Sequence, residues 1–217
     1  TISHEFRTPM TTIMSSAEIM ESLINRDKPK EKVFRHTNLI KTSVHELLEL
    51  LNDVLIIEKF DSGRYEVMKD EFSLDSYFEE LKFKMEIGIG KHHTIDIEVQ
   101  ENMDDISTDK KLFSQILNNI LSNAFKYSEK GKTVHIKASV TGEKFHFKVT
   151  DEGIGMNEET LQMIFDSFYR ARNVTNVEGT GMGLSILKKS VELLEGEIKV
   201  SSTPDVGSTF EVSIPLT

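Results

Sequence analysis

The chain has 217 residues, enough for one large domain or two small ones, and its 38% hydrophobic content can furnish real cores. A formal net charge of −10 argues against a general basic field for polyanions, so no nucleic-acid partner is expected. There is no cysteine for a disulfide or a Cys-ligated metal, and the seven histidines lack HExxH-type spacing.

No apolar run approaches the roughly 18 to 20 residues that cross a bilayer. Apolar residues at Phe6, Met10, Ile13, Ala17, Met20 and Ile24 recur at the alternating four- and three-residue spacing of a bundle helix. A polar break from Asn25 to Lys30 precedes a second stripe at Val33, Ile40, Val44, Leu47, Leu51 and Val54, widened by Leu48 and Leu55. The pattern predicts an αα-hairpin over residues 1–62. Two such helices cannot cover both stripes against each other, so pairing with a second copy into a four-helix bundle, a homodimer, is expected. The pattern starts without a methionine or a cap and reads as a fragment of something longer.

His4 lies two residues ahead of the first stripe position and faces outward, whereas Phe6 points inward. An exposed imidazole can accept a phosphoryl group. Glu5 could hold the ring Nδ1–H and leave Nε2 nucleophilic; Thr8, four residues on, shares the face of His4 and could position a water. Pro9 removes a backbone donor and should bend the helix. Taken alone, His4 reads more simply as a surface histidine near a frayed end.

After Asp61-Ser62-Gly63 the pattern turns irregular until a helix from about Asp109 to Ser128, and residues 63–217 are assigned to a second domain. On that helix Asn119 and Asn123 share a face, with Lys126 and Tyr127 a turn further on. Amide oxygens suit Mg²⁺, a hard cation otherwise held by water and phosphate, and Lys126 could pair with a phosphate. An amphipathic helix with amides on its polar face explains the same residues. Val134, Ile136, Ala138 and Val140, then Phe145, Phe147 and Val149, alternate with polar residues about Thr141-Gly142-Glu143-Lys144, which predicts a hairpin with one buried face.

Asp151 ends that hairpin and is followed by Gly153 and Gly155, so its carboxylate could accept a hydrogen bond from a base amino group; a turn-stabilising Asp fits equally well. Phe165, Phe168, Tyr169 and Arg170 interrupt a polar stretch. They read either as a lid anchored by aromatics, with Arg170 reaching phosphate, or as a helix and loop with aromatics in the core. Gly179-Thr180-Gly181-Met182-Gly183-Leu184 opens a helix that Gly196 stops. Alternating glycines let a phosphate approach a helix N-terminus, yet the loop lacks the ending of a P-loop and the spacing of a dinucleotide fingerprint. Strands at Glu197–Val200 and Thr209–Ile214 follow, and Gly207-Ser208-Thr209-Phe210 reads first as a turn opening the second of them. The expected fold class is α+β: an N-terminal αα-hairpin forming a dimeric four-helix bundle, followed by an α/β sandwich with a mostly antiparallel sheet.

The order His4-Glu5-Phe6-Arg7-Thr8-Pro9, Asn119 to Tyr127, Asp151-x-Gly153-x-Gly155, Phe165 to Arg170, Gly179-x-Gly181-x-Gly183-Leu184 and Gly207-Ser208-Thr209-Phe210 resembles the catalytic core of sensor histidine kinases of two-component systems. The resemblance covers nearly the whole chain, as a phosphotransfer hairpin and an ATPase domain of the Bergerat type. It implies that His4 is phosphorylated, that Glu5 is the base or orienting group, and that Thr8 helps to dephosphorylate a partner. It implies ATP and Mg²⁺ as cofactors, with Asn123 and Asn119 at the metal, Lys126, Tyr127 and Arg170 at the nucleotide, and Asp151 at adenine. Gly153, Gly155, Phe165, Phe168, Gly179, Thr180, Gly181, Gly183, Leu184 and Thr209 complete the implied nucleotide site. A response regulator receiver domain, an upstream sensor region and a cytoplasmic location for this portion, as part of a receptor that can be membrane-anchored, are implied as well. Met10 and Met182 depart from the family pattern without removing a chemical group. A non-signalling Bergerat-fold ATPase and an ATP-binding scaffold without turnover are the competing classes.

Overall fold

The computed structural model describes residues 2–25, 30–88, 90–100, 105–171 and 179–216. The chain divides into two compact units, Thr1–Arg64 with Glu178–Met182, and Tyr65–Val177 with Gly183–Thr217.

In the first unit α1 (Ile2–Asn25) and α2 (Lys30–Asp61) form the hairpin. α1 runs on through Pro9, which is buried and has no N–H for the Glu5 carbonyl. Ser16, Ser43 and Leu50 are buried, beside half-covered Ile13 and Met20. His36 Nδ1 lies 3.4 Å from Ser16 Oγ, and Thr37 Oγ1 donates to the Val33 carbonyl at 3.0 Å. The expected seam is therefore split. Ala17 is exposed, and Met10, Ile24, Val44, Leu48, Leu51 and Leu55 stay uncovered within one chain, Met10 at 56% and Leu48 at 52% exposure. Two cylinders share only one line of closest approach, so a broad apolar face on each cannot be buried by the other. The polar break expected at residues 25–30 falls partly outside the described residues.

The second unit carries a five-stranded sheet in the order β2 (Thr94–Val99), β4 (Thr133–Thr141), β5 (Lys144–Asp151), β7 (Gly207–Pro215), β6 (Glu197–Thr203). β2 pairs parallel with β4 and the other pairings are antiparallel. A two-stranded ladder joins β1 (Asp70–Ser73) to β3 (Asp105–Thr108). Helices α3 (Leu74–Ile87), α4 (Lys110–Tyr127) and α6 (Gly183–Leu193) supply the apolar layer, and a short α5 spans Glu158–Met163. On the buried face Phe145 stacks with Phe147, and Phe113 of α4 and Phe78 of α3 come within 5.0 and 6.0 Å of the Phe145 ring. The other face is polar, with ion pairs Lys148–Glu211 at 2.6 Å and Lys137–Glu98. That alternation is what a sheet with one wet face requires.

The stretch read as irregular holds four elements, β1, α3, β2 and β3. α3 is capped by Ser73, whose hydroxyl accepts from the Ser76 N–H at 3.3 Å, and buries Leu74, Phe78, Leu81 and Met85. α4 is set by Asp109, 2% exposed. Its Oδ1 accepts from the Lys111 and Leu112 N–H groups at 3.0 Å each, and its Oδ2 accepts from the Tyr65 hydroxyl at 3.1 Å and the Met68 N–H at 3.0 Å. The apolar face of α4, from Leu112 to Phe125, is buried, which leaves Asn119, Asn123 and Tyr127 half-buried beside it. Among the described residues no helix is long and apolar enough to cross a membrane.

Candidate functional site

Sheet register brings three residues from three strands into one row. Asp151 of β5 pairs with Ser208 of β7, and Ser208 pairs with Ser202 of β6. Asp151 and Ser208 open onto a cavity of about 700 Å³ within the second unit. Asn123, Arg170 and Asn157 add polar groups to its wall, while Tyr127, Met156, Met163, Ile164, Leu184 and Phe210 make it largely apolar. A concave, mostly apolar pocket with a few fixed polar groups is the usual form of a small-molecule site.

Asp151 is 5% exposed and is held through one oxygen, Oδ1, which accepts from the Gly153 N–H at 2.9 Å and the Ser208 N–H at 3.3 Å. Burial raises its pKa above the usual carboxylate value, and the two backbone N–H bonds pull the other way without cancelling it. The glycines beside it are fixed by crowding. At Gly155 φ is +61°, and a Cβ there would stand 1.9 Å from the Thr203 carbonyl oxygen. At Gly207 φ is +139°, with the corresponding Cβ 1.9 Å from the Asp151 carbonyl oxygen. A bare backbone at both places lets the loop after β5 lie against the β6–β7 turn.

Tyr127 lies at the end of α4, where burial raises the phenol pKa and the Arg170 charge lowers it less strongly. Asn123 reaches the cavity wall; Asn119 does not. The Asn119 Nδ2 donates to the Gln115 carbonyl at 2.9 Å, and its Oδ1 lies where a Cβ on Gly183 would come within 2.8 Å, so the amide abuts the first turn of α6. Leu184 follows on the wall, in the first turn of α6. Lys126 is exposed and off the wall. Phe165 is half-buried with Lys188 Nζ 5.7 Å from its ring centre, and Phe168 takes a left-handed φ of 67° just before Tyr169 and Arg170 reach the cavity. The remainder of the expected lid, residues 172–178, lies outside the described residues.

Thr209 does not line the cavity: its hydroxyl lies 3.0 Å from that of Thr150, and Ser208 and Phe210 on either side face the pocket. Successive strand residues point to opposite faces, so only one of the two hydroxyls can serve. Ser208 was missed, although counting the register from Asp151 would have found it. Gly179, Thr180 and Gly181 are likewise absent from the wall and group with the hairpin unit, where Thr180 Oγ1 donates to Asp53 Oδ2 of α2 at 2.8 Å.

In the hairpin unit His4 is exposed on α1, Glu5 beside it is half-buried, and Thr8 is exposed with its Oγ1 donating to the His4 carbonyl at 3.3 Å. Among the described residues no cluster of three or more His, Asp or Glu side chains could hold a metal ion.

The family described as Histidine kinase-, DNA gyrase B-, and HSP90-like ATPase matches residues 108–217, and the His Kinase A (phospho-acceptor) domain matches residues 1–63. The autoinducer 2 sensor kinase/phosphatase LuxQ of Vibrio vulnificus is 32% identical over 99% of this chain, which spans 26% of that protein. Full-length ShkA in complex with AMPPNP superposes with a TM-score of 0.73 at 26% identity, covering 99% of this chain and 44% of ShkA. The histidine kinase ThkA in complex with the response regulator protein TrrA matches all of this chain and 60% of ThkA, at a TM-score of 0.73 and 23% identity, a likeness of fold.

Proposed function

Because this chain belongs to the histidine kinase-, DNA gyrase B- and HSP90-like ATPases, as a sensor histidine kinase with a phospho-acceptor hairpin ahead of its ATPase unit, we propose that it is an ATP-dependent protein histidine autokinase. It phosphorylates His4, passes the phosphoryl group to an aspartate of a response regulator, and also dephosphorylates that partner. The observation that carries this reading is Asp151: a buried carboxylate with one oxygen tied down, on the wall of a cavity that Asn123 and Arg170 share. Such a carboxylate is placed to accept a proton donor of a flat, mostly apolar ligand, as the amino group of adenine is.

ATP is the substrate, and the γ-phosphoryl moves to Nε2 of His4 with ADP as the leaving group. Asn123, with Asn119 one turn earlier on α4, offers amide oxygen to Mg²⁺, which when bound neutralises phosphate charge. Arg170 and Lys126 balance further charge, and the wall of Tyr127 and Leu184 keeps water from the ring of the nucleotide. Glu5 orients the imidazole, and Thr8 places a water for the reverse, phosphatase, step. We assign residues 1–62 to the dimerisation and phosphotransfer hairpin and 63–217 to the ATP-binding domain. The apolar stripe left uncovered on the hairpin supports a homodimer. An upstream sensor region and a cytoplasmic setting for this portion follow from the same reading, since ATP is supplied there.

The test is incubation with γ-labelled ATP and Mg²⁺ of the wild type, His4→Gln and Asn123→Ala. An acid-labile, alkali-stable label is expected on the wild type alone. Equal labelling of all three would sink the reading in favour of a non-signalling ATPase, and no label on any would favour a scaffold.

A further inference from the structure

Ser202, on the edge strand β6, belongs to no motif singled out in the sequence, yet its hydroxyl joins three segments around the cavity. Its Oγ donates to the Gly207 carbonyl at 2.8 Å, accepts from the Met156 N–H at 2.8 Å, and lies 2.9 Å from the Ser208 Oγ. A hydroxyl has one proton. The Gly207 carbonyl can only accept, so the Ser202 proton is spent there, and the contact between the two serines has to be made by the Ser208 proton. Ser208 Oγ is thereby left with lone pairs alone. Beside it Asp151 Oδ2 carries no hydrogen bond from the described residues, since both backbone N–H donors fall on Oδ1.

From this we infer that Ser202 is a positioning residue for purine selectivity: by taking the Ser208 proton it turns the Asp151–Ser208 wall into acceptors only, which admit a 6-amino purine and reject a 6-oxo one. The inference rests on the ATP reading and deepens it. A 6-oxo purine presents its own acceptor where the amino group of adenine would stand, and two opposed acceptors leave a buried polar group unpaired on each side, the strongest form of rejection a site can offer. The same hydroxyl fixes the Met156 N–H just after the Gly153–Gly155 turn, so the loop after β5 and the start of β7 are held at one distance from each other.

The experiment measures ADP and IDP affinity by calorimetry on the full chain, for the wild type, Ser202→Ala, Ser202→Thr, Ser208→Ala and the double alanine variant. Ser202→Ala frees the Ser208 proton to donate into the cavity. ADP is expected to weaken about fivefold, the worth of one net hydrogen bond, while IDP holds or tightens, so that the ADP/IDP preference contracts. Ser202→Thr keeps the hydroxyl and should keep the preference. Ser208→Ala should contract it as well, and the double variant should add little beyond either single one because the two hydroxyls act as a unit. Equal weakening of ADP and IDP in Ser202→Ala would reduce Ser202 to a structural tie and overturn the inference. Should Ser202→Ala fail to fold, an unchanged preference in Ser208→Ala overturns it too. A wild type that binds ADP with no preference over IDP defeats the inference and leaves the ATP reading standing, whereas a wild type that binds neither removes both.

Discussion

Replacing Asp151 by Asn keeps an Oδ1 that can accept from Gly153 and Ser208 and puts an NH₂ where Oδ2 was. Nucleotide binding should fall by more than about tenfold, because a donor then faces the donor of the ligand. Stability should move the other way. The folded-state pKa of Asp151 is raised by burial, so the folded chain takes up this proton before the unfolded chain does, and the burial penalty is present in full only above the folded value. Asp151→Asn should thus melt at or above the wild-type temperature at pH 8, with the gap closing as pH falls through the folded pKa toward the ordinary carboxylate range. A melting series from pH 8 down to the ordinary carboxylate value of about 4 checks this, and a gap that widens on acidification would count against it. The identity of Asp151 was legible in the sequence because a strand end followed by Gly-x-Gly is a local signal. Ser208 was not read, because its role depends on the pairing of β5 with β7, two strands separated by more than fifty residues.

α4 depends on a single side chain. Asp109 caps α4 with one oxygen and holds Tyr65 and Met68 with the other. Tyr65→Phe should cost about 1 kcal/mol, one net hydrogen bond, and Asp109→Ala more, since it removes a helix cap worth about 1 kcal/mol as well. Burial first, and the Asp109 charge second, push the Tyr65 phenol up to about 12. An unfolded tyrosine loses its proton at a lower pH, so this contribution is present below the unfolded value and is lost as pH climbs toward about 12. Phenolate absorbance should show several tyrosines titrating late, Tyr77 and Tyr127 among them, and one fewer in Tyr65→Phe. Gly155→Ala meets a positive φ and a carbonyl oxygen 1.9 Å away, so a large drop in melting temperature with loss of nucleotide binding is expected. α3 and β2 carried readable patterns, Leu74-x3-Phe78-x2-Leu81-x3-Met85 after a Ser cap and the alternation Ile95, Ile97, Val99. β2 is only six residues long, and in α3 the exposed Phe83 and Ile87 blur the stripe, so the aromatic packing on Phe145 and the parallel pairing with β4 decide their state. α4 and the β4–β5 hairpin were legible at full length because their periodicity runs for eight residues or more.

At the scale of the whole molecule the hairpin exposes Met10, Met14, Val44, Leu48, Leu51 and Leu55, a stripe too continuous for a helix pair that stays alone in water. Leu48→Glu with Leu55→Glu should convert a dimer to a monomer in light scattering while ADP affinity, which belongs to the second unit, stays within about twofold; a dimer that survives both changes would refute this assignment of the interface. The sheet order has a temporal meaning of its own. β7 lies between β5 and β6, yet it is the last strand in the described chain. During synthesis Asp151 emerges long before Ser208, and until residues 207–215 have left the ribosome β5 has an open edge on the β7 side and its carboxylate lacks the Ser208 N–H. A nascent chain should be blind to nucleotide until β7 slots in, so ATP in the cell can select only molecules whose translation has run past β7.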